Sequence, residues 1–287
     1  MSAEALRQAY EHCAGLARER ARDRWLAALF APEGARPHLH ALTAFDIEIA
    51  RVRAVAREPL AGEMRLAWWR EALAGARDSE ASSHPVAAAL IDTMAKFALP
   101  ARAFEDLLQA RIFDLYDDPM PTLGDLEVYC RQTASALFEL AALVLSEGRD
   151  LGAAEASGAA GLAVGLTGAL RTFPEASARG QVYAPREMLE RHGASLEDVR
   201  ARRDGAGLRA ALAELRGLAE RRLAEAETRV AALPAIVAPA FVPLGAVRLD
   251  LERLRRAEAS PFAPFAEAPA WRRQLALWLW AKGWRGA

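Results

Sequence analysis

Cysteine is scarce in this sequence, with Cys13 and Cys130 as the two thiols among 287 residues. A single possible pair cannot provide a disulfide framework, which excludes the class of small, disulfide-stabilised secreted proteins and favours a reducing compartment. Neither cysteine has a CxxC partner or a local histidine arrangement, so buried thiols are expected rather than nucleophiles. Lysine is nearly absent too, and the other basic side chains are arginines.

The chain also lacks net charge and long apolar runs. Its formal net charge of -1 gives no global attraction to nucleic acid, so a nucleic-acid partner is not expected. The first 20 residues are charged from Glu4 onward and contain no apolar core of a secretory signal, which predicts a cytoplasmic location. The longest charge-free run, residues 156–170, is shorter than the roughly 20 apolar residues of a membrane span, so no transmembrane helix is expected.

Period-two alternation is almost absent, whereas apolar residues recur with a period of 3.6 along nearly the whole chain. An all-α protein is therefore predicted. Thr122 and Asp125 are typical of a helix N-terminus, because a threonine cap is followed by an acidic first turn. No repeat or break in composition divides residues 1–287, which are expected to form one domain. Helices are predicted over about 4–31, 37–57, 63–76, 86–97, 101–117, 122–146, 206–233 and 244–258.

The segment 161–185, GLAVGLTGALRTFPEASARGQVYAP, is predicted to be a buried helix that stops at Pro174 and continues as a loop to Pro185. One face of this helix is almost without side chains. Glycine costs roughly 1 kcal/mol relative to alanine in a helix interior, so a stripe of glycines indicates that a neighbouring helix or a bound chain comes close to the backbone. The residues on this face are Gly158, Gly161, Gly165, Gly168, Thr172 and Ala176.

Four segments in this order resemble the squalene and phytoene synthase family. They are ALTAFDIEIARVR (41–53), RLAWWREAL (65–73), TLGDLEVYCRQTASALFELAALVL (122–145) and GLAVGLTGALRTFPEASARGQVYAPREML (161–189). The resemblance implies the all-α isoprenoid synthase fold, with helices around a central apolar cavity. Enzymes of the family join two allylic diphosphates head to head. Mg²⁺ ions neutralise the leaving diphosphate there, held by aspartates that lie four residues apart on facing helices.

The carboxylates that this chemistry needs are missing from the matching positions. The first aspartate-rich motif would fall at Ala50, Arg51, Val52, Arg53 and Ala54. The second would place polar groups at Gly165, Gly168, Thr172 and Ala176. What survives around the second motif is Arg171, Glu175, Arg179, Gly180, Tyr183 and Pro185. Neither a metal nor another cofactor is therefore expected, and Mg²⁺ belongs only to the alternative of an active synthase.

The chain resembles more closely a divergent subgroup that includes a mitochondrial factor for assembling respiratory complex I. This likeness rests on Ala44 to Val52, AFDIEIARV, and on Trp68, Trp69 and Arg70. The subgroup also lacks the paired aspartates. It implies ligand binding or assembly, with no established chemistry.

Several arginines have two possible roles. Arg51, Arg53, Arg171 and Arg179 could bind the phosphates of a lipid diphosphate without metal, because arginine pairs well with phosphate. The alternative is ion pairing with Glu48, Glu58, Glu63 or Glu175. The residues predicted to contact such a ligand are Asp46, Ala50, Arg51, Arg53, Gly165, Gly168, Arg171, Thr172, Arg179 and Tyr183.

Weaker signals have ordinary explanations. His38 and His40 point in different directions on a helix, and Asp46 and Glu48 diverge by about 200° for the same reason. Asp114, Asp117 and Asp118 are either a metal group or a solvated helix terminus. Trp68 and Trp69 are expected to pack between helices, with contact to an isoprenoid tail as the alternative. The tail 271–285 joins tryptophan to basic residues and is either a core helix or a membrane-surface helix.

The sequence thus predicts a non-classical family member with little or no Mg²⁺-dependent prenyl transfer. Its expected partner is an isoprenoid diphosphate, a lipid-like ligand or a protein, at the cytoplasmic face of the inner membrane, and respiratory-complex assembly is the concrete form of this prediction. The alternative is an active prenyltransferase that recruits Mg²⁺ through Asp46, Glu48, Asp114 or Glu175.

Overall fold

A computed structural model describes residues 2–256 and 260–285, with side chains up to residue 283. Trp284 and Arg285 of the predicted membrane-surface tail therefore lie outside the described side chains. The α-helices are α1 Ala3–Arg20, α2 Arg22–Ala28, α3 Arg36–Ala50, α4 Val52–Val55, α5 Pro59–Leu73, α6 Asp78–Ser83, α7 Pro85–Phe97, α8 Ala101–Arg111, α9 Leu123–Cys130, α10 Ala136–Leu145, α11 Ala154–Arg171, α12 Phe173–Ala178, α13 Arg186–Arg191, α14 Leu196–Arg200, α15 Ala206–Ala231, α16 Leu244–Arg256 and α17 Ala270–Arg285.

Shorter helical segments connect some of these helices. A π-helical turn, Arg131–Ser135, joins α9 to α10 without interrupting the helix axis, and 3₁₀ turns occupy Glu33–Ala35, Phe113–Leu115 and Ala235–Phe241. The described residues contain no β-strand, and their one β-bridge pairs Pro119 with Val182. The all-α prediction is confirmed.

The predicted helix boundaries differ from the structure in several places. The first helical region divides at Ala21, where the backbone leaves the helical conformation, and the second divides at Arg51. The polar residues 77–85, for which no helix was predicted, contain α6. The central helix ends at Arg171, before the predicted stop at Pro174, which lies instead in the first turn of α12. Proline is tolerated there because the first turn of a helix does not use its N–H groups.

The core is centred on α3 and α11. Helix α3 is buried on nearly all sides, and Phe45 at its middle packs edge-on against Trp69 of α5 and Phe104 of α8, with ring centroids 5.2 and 5.6 Å away. The predicted packing role of the tryptophan pair fits this arrangement, since Trp69 is buried and the Trp68 indole donates a hydrogen bond to Glu80 at 2.9 Å. Cys13 and Cys130 are free, buried thiols, and burial raises the pKa of each to about 12.

The glycine stripe of α11 lets another helix approach its backbone. A Cβ on Gly161 would overlap the backbone nitrogen and Cα of Ser135 in the π-helical turn, and a Cβ on Gly165 would overlap the Cys130 sulfur. The Ser135 hydroxyl also donates a hydrogen bond to the Gly158 carbonyl at 3.2 Å. Gly168 differs, because no heavy atom lies within 4 Å of where its Cβ would be. The close neighbour expected from the glycine stripe is therefore the helix formed by α9, the π-helical turn and α10. Its close approach explains Gly161 and Gly165.

The capping residues predicted for α9 form a reciprocal pair. The Asp125 backbone N–H donates to the Thr122 hydroxyl oxygen at 3.1 Å, and the Thr122 N–H donates to the Asp125 carboxylate at 3.1 Å. This arrangement satisfies two backbone donors that the first helical turn leaves free.

Replacing Thr122 by alanine is expected to lower the free energy of unfolding by about 1 kcal/mol, because one backbone donor loses its acceptor. Urea denaturation of the wild type and the variant would measure the change. Thr228→Ala is the matched control, since the Thr228 hydroxyl only bonds the carbonyl of Ala224 within α15. An equal loss in both variants would contradict the capping role.

The last helix is fixed to the rest of the molecule by buried ion pairs. Arg273 of α17 donates hydrogen bonds to Asp250 of α16 at 2.5 Å and to Asp23 of α2 at 3.0 Å. Arg171, at the end of α11, reaches the same Asp250 carboxylate at 2.9 Å. Asp250 and Arg273 are both buried. Four helices that are distant in sequence thus share one charged cluster.

Candidate functional site

Asp46 is a carboxylate on α3, a helix that is buried over most of its length. Its oxygens accept hydrogen bonds from Arg24 of α2 at 2.6 Å and from Arg111 of α8 at 2.8 Å, and 13% of its side chain is exposed. Burial opposes ionisation of this carboxyl group, but the two guanidinium groups outweigh it and hold the pKa of Asp46 below its ordinary value. Asp46 is therefore an ionised, paired carboxylate at neutral pH.

Arg111 connects Asp46 to a second carboxylate. Its Nη1 lies 3.1 Å from Asp114, three residues farther along the chain, while its Nη2 binds Asp46. The side chains of Arg111 and Asp114 are 15% and 12% exposed. One guanidinium thus bridges carboxylates that come from α3 and from the 3₁₀ turn after α8.

Two tyrosines complete the cluster. The hydroxyl of Tyr129 donates to Asp114 at 2.8 Å, and the hydroxyl of Tyr183 donates to the same carboxylate at 2.6 Å. Burial raises the pKa of both phenols above the ordinary value, so they stay protonated and act as donors. Asp46, Arg111, Asp114, Tyr129 and Tyr183 are hereafter called the central cluster. They make this part of the interior polar.

The donor set does not fit a Mg²⁺ ion. Mg²⁺ requires oxygen ligands around it in near-octahedral geometry, whereas Asp46 and Asp114 are turned toward a guanidinium. Among residues 2–256 and 260–285, no group of three or more carboxylate, imidazole or thiol side chains is arranged to hold a metal. The other acids predicted with Asp114 are separated from it, since Asp117 pairs with Arg53 and Asp118 is exposed.

The four predicted phosphate-binding arginines differ in their ion pairing. Arg53 pairs with Asp117 at 3.0 Å, and Arg171 pairs with Asp250 and Glu267. Arg51 and Arg179 are exposed, and no carboxylate of the described residues lies within 4 Å of either guanidinium. The ion-pair partners therefore differ from the glutamates expected from the sequence.

The remaining predicted site residues lie along two helix ends. Ala50 is exposed at the end of α3, and the Thr172 hydroxyl donates to the Gly168 carbonyl at 2.9 Å. Gly165 contacts Cys130, next to Tyr129 of the central cluster, while the side of Gly168 is open. The structure thus connects Asp46 with Tyr183 through the central cluster and leaves the other predicted residues outside its hydrogen bonds.

Arg24, Arg111 and Tyr129 are site residues that sequence reasoning did not identify. The sequence did indicate that Asp46 needs a partner such as an arginine. Asp46 lies in the largely apolar sequence LTAFDIEIA, and a buried carboxylate requires a cation or hydrogen-bond donors. Arg111 and Asp114 also have the i,i+3 spacing of a helical ion pair. Nothing in the sequence indicates the role of Tyr129.

Cavities in the structure lie mainly beside the outer helices. One of about 850 Å³ is bounded by α15, α16 and α17, and one of about 290 Å³ lies beside Trp68, Glu48 and Arg51. Between α2, α3 and α10 the cavity next to Thr43 measures about 60 Å³.

Residues 123–145, which run through α9, the π-helical turn and α10, are long and apolar enough to cross a membrane by length and composition alone. More than half of their most apolar stretch is buried against other helices. A core helix of a water-soluble protein has the same properties, so this finding gives little support to a membrane span.

Comparison with known proteins adds to this geometry. A family model described as "Squalene/phytoene synthase" matches residues 17–278. The chain is 28% identical over 274 residues to "NADH dehydrogenase (ubiquinone) complex I, assembly factor 6" of Rattus norvegicus, which covers 96% of this chain and 81% of that protein.

Two solved structures share the helical arrangement. Squalene synthase HpnC from Alicyclobacillus acidocaldarius superimposes with a TM-score of 0.74 at 26% identity, covering 89% of this chain and 96% of that one. A dehydrosqualene synthase in complex with ligand gives a TM-score of 0.84 at 20% identity and covers 99% of both chains, a likeness that concerns the fold alone. The all-α isoprenoid synthase fold expected from the sequence is confirmed.

Proposed function

This chain belongs to the squalene/phytoene synthase family, and on that premise we propose that it is a non-classical member without Mg²⁺-dependent prenyl transfer. It binds an isoprenoid or lipid-like ligand and acts in the assembly of a respiratory complex. The observation that carries the proposal is the central cluster, in which the Arg111 guanidinium lies between Asp46 and Asp114.

The chemistry of prenyl transfer explains why this observation matters. Loss of a diphosphate leaving group needs divalent cations that neutralise its charge, and the cations need carboxylate oxygens. Here the two carboxylates that come from different helical segments already neutralise an arginine. The aspartates of both family motifs are replaced by alanine, arginine, glycine and threonine, which supports the same conclusion.

The ligand-binding part of the proposal rests on the arginines and small residues retained around the former motifs. Arg51 and Arg179 are available to an anionic ligand, since no carboxylate in the described part of the chain pairs with them. Phosphate binding by guanidinium groups does not require a metal. Gly168 leaves room beside the backbone of α11, because no heavy atom lies within 4 Å of where its Cβ would be. The candidate contacts remain Asp46, Ala50, Arg51, Arg53, Gly165, Gly168, Arg171, Thr172, Arg179 and Tyr183.

The assembly part of the proposal comes from the relative that matches nearly the whole chain, a protein named as a complex I assembly factor. Such a role needs a protein partner and a location at the membrane where the complex is built. We place the protein at the cytoplasmic face of that membrane, in contact through residues 271–285. Trp271, Leu275, Trp278 and Leu279 of this segment are exposed apolar side chains, which supports this placement.

A turnover and binding experiment tests the proposal. Purified protein incubated with farnesyl or geranylgeranyl diphosphate and Mg²⁺ is expected to release no pyrophosphate and no extractable hydrocarbon above background. Titration calorimetry without metal is expected to show binding of the same diphosphates. Arg179→Gln should weaken that binding about tenfold, because it removes a charge-assisted hydrogen bond. Arg70→Gln on α5, which is also exposed, should leave it unchanged.

Turnover that disappears with EDTA would overturn the proposal in favour of the second candidate function, an active prenyltransferase. The 26% identity to a squalene synthase structure favours this candidate specifically. If the protein showed no turnover and no binding, the diphosphate would be excluded as its ligand. A protein partner would then remain as the basis of the assembly role.

A further inference from the structure

An open groove of about 850 Å³ runs between the C-terminal helices, away from the central cluster. Its walls are α15, α16, α17 and the connecting residues 260–266. The volume lies within the range of small-molecule sites, roughly 300–1,000 Å³. None of the predicted site residues lines this groove, although Leu170 and Phe173, which flank Arg171 and Thr172 in sequence, contribute to its wall.

One edge of the groove is an exposed apolar row on α17. Trp271, Leu275 and Leu279 follow one another at four-residue steps, which places them on one helical face, and their exposed fractions are 62%, 45% and 54%. They continue into the groove, where Leu212 and Leu249 form the inner surface. Large apolar side chains grouped in this way indicate a surface that another apolar molecule covers.

The polar side chains of the groove are mostly cationic. Five arginines line it against one acid, Glu252. Arg216 and Arg253 bond to backbone carbonyl groups at 3.5 and 2.7 Å, and Arg272 lies over the Trp271 ring. Within the described chain, no carboxylate lies within 4 Å of these three guanidinium groups. The groove therefore presents positive charge that the protein itself leaves unpaired.

Apolar walls combined with unpaired arginines match a molecule that has one long apolar chain and an anionic head. We propose that the groove receives one acyl chain of an anionic membrane phospholipid, whose phosphate binds Arg216, Arg253 and Arg272. The membrane is the source, because the apolar row of α17 is exposed at the edge of the groove and carries a tryptophan beside an arginine, as interfacial helices do.

The proposed function includes a contact with the membrane, and this inference rests on it. It specifies which lipid makes that contact and where on the protein the lipid binds. It does not depend on whether prenyl transfer has been lost. A protein without vesicle binding could still lack turnover, and an active synthase could still bind vesicles. A negative result in the vesicle experiment can therefore be distinguished from a negative result in the turnover experiment.

Vesicle flotation with the full chain tests the site. The wild type is expected to float with phosphatidylcholine vesicles that contain about 30% phosphatidylglycerol and to stay in solution with phosphatidylcholine alone. Arg253→Gln combined with Arg272→Gln should lower the partition coefficient about 25-fold, roughly fivefold for each arginine near an anionic surface. Arg57→Gln combined with Arg70→Gln removes the same charge elsewhere and should change it by less than about twofold.

A second variant separates the groove from general surface charge. Ala213→Phe places a ring inside the groove and keeps every arginine, and it is expected to lower the partition about tenfold through loss of buried chain area. Circular dichroism and thermal unfolding confirm that each variant is folded. Unchanged partition of Ala213→Phe, equal binding to both vesicle types, or no binding to either would overturn the proposal. Binding of soluble dihexanoyl phosphatidylglycerol without vesicle binding would also overturn it, because the occupant would then be a free amphiphile.

Discussion

Replacing Arg111 by methionine is expected to lower the free energy of unfolding by about 3–5 kcal/mol, the usual cost of leaving a buried charge without its partner. Methionine fills a similar length but supplies no cation. Asp114 would then keep only the hydroxyl groups of Tyr129 and Tyr183, and Asp46 would keep only Arg24. Urea denaturation followed by circular dichroism measures this difference, and the thermal midpoint should fall by roughly 10 °C.

Two companion variants show whether the unpaired charge is the cause. Arg102→Met removes an arginine of the same helix that pairs with Asp106 but is 79% exposed, and its thermal midpoint should be unchanged. Arg111→Met combined with Asp114→Asn removes both charges and should recover part of the lost stability. The stability lost by the double variant could instead equal the sum of the losses of Arg111→Met and Asp114→Asn alone. That result would show that Arg111 stabilises the fold through packing and not through its charge.

The Arg111 effect should also depend on pH, with a sign that follows from Asp46. The pKa of this carboxyl group is lowered in the folded protein, so its contribution is complete above the unfolded pKa of about 3.9 and is lost as pH falls through the folded value. The stability difference between wild type and Arg111→Met is therefore expected to be largest near neutral pH and to narrow below about pH 4. A difference that stays constant down to pH 3 would contradict the ionised pairing.

Gly161→Ala is the second substitution with a large expected effect, a loss of about 3 kcal/mol or more despite the higher helix propensity of alanine. The added methyl group would overlap the backbone of Ser135, so α11 and the π-helical turn must move apart. Displacement of two core helices also removes van der Waals contacts along both. Chemical denaturation gives the loss in stability, and near-ultraviolet circular dichroism reports changed packing of the aromatic core.

Gly168→Ala is the matched control on the same helix, seven residues later. Nothing lies within 4 Å of the new methyl group, and alanine favours a helix by up to about 1 kcal/mol over glycine. The variant is therefore expected to be as stable as the wild type or slightly more so. If both glycine variants lost stability equally, the close approach at Ser135 would not be the reason for the stripe.

The helical class and some helix termini were predictable because their signals are local. Thr122 with Asp125 is a capping pair within four residues, and the glycine stripe of α11 encodes a close contact through its own spacing. The divided helices at Ala21 and Arg51 were not predictable, since neither position carries a proline or glycine. There the chain turns to pack α2 and α4 against distant helices, and tertiary contacts overrule local propensity.

The candidate site was predictable only in part, because its hydrogen bonds join residues that are distant in the sequence. That residues 50–54 carry no carboxylate could be read directly from the sequence, and two of the predicted ligand contacts, Asp46 and Tyr183, lie in one hydrogen-bond network. Arg24 and Arg111 come from elements 22 and 65 residues away from Asp46, and no pattern within one segment brings them together. The pairing of Asp46 with two arginines is a property of the assembled fold.

The contact between Asp23 and Arg273 joins residues that are 250 positions apart. On the ribosome, Asp23 is synthesised long before its guanidinium partner, and at about 5–20 residues per second the delay is roughly 12–50 s. During this time α2 carries a carboxylate that has no Arg273 to pair with, whereas Asp250 of α16 precedes Arg273 by 23 residues and waits only about 1–5 s. Completion of this buried charged cluster is thus tied to synthesis of α17, because Arg273 supplies the cation that both carboxylates share.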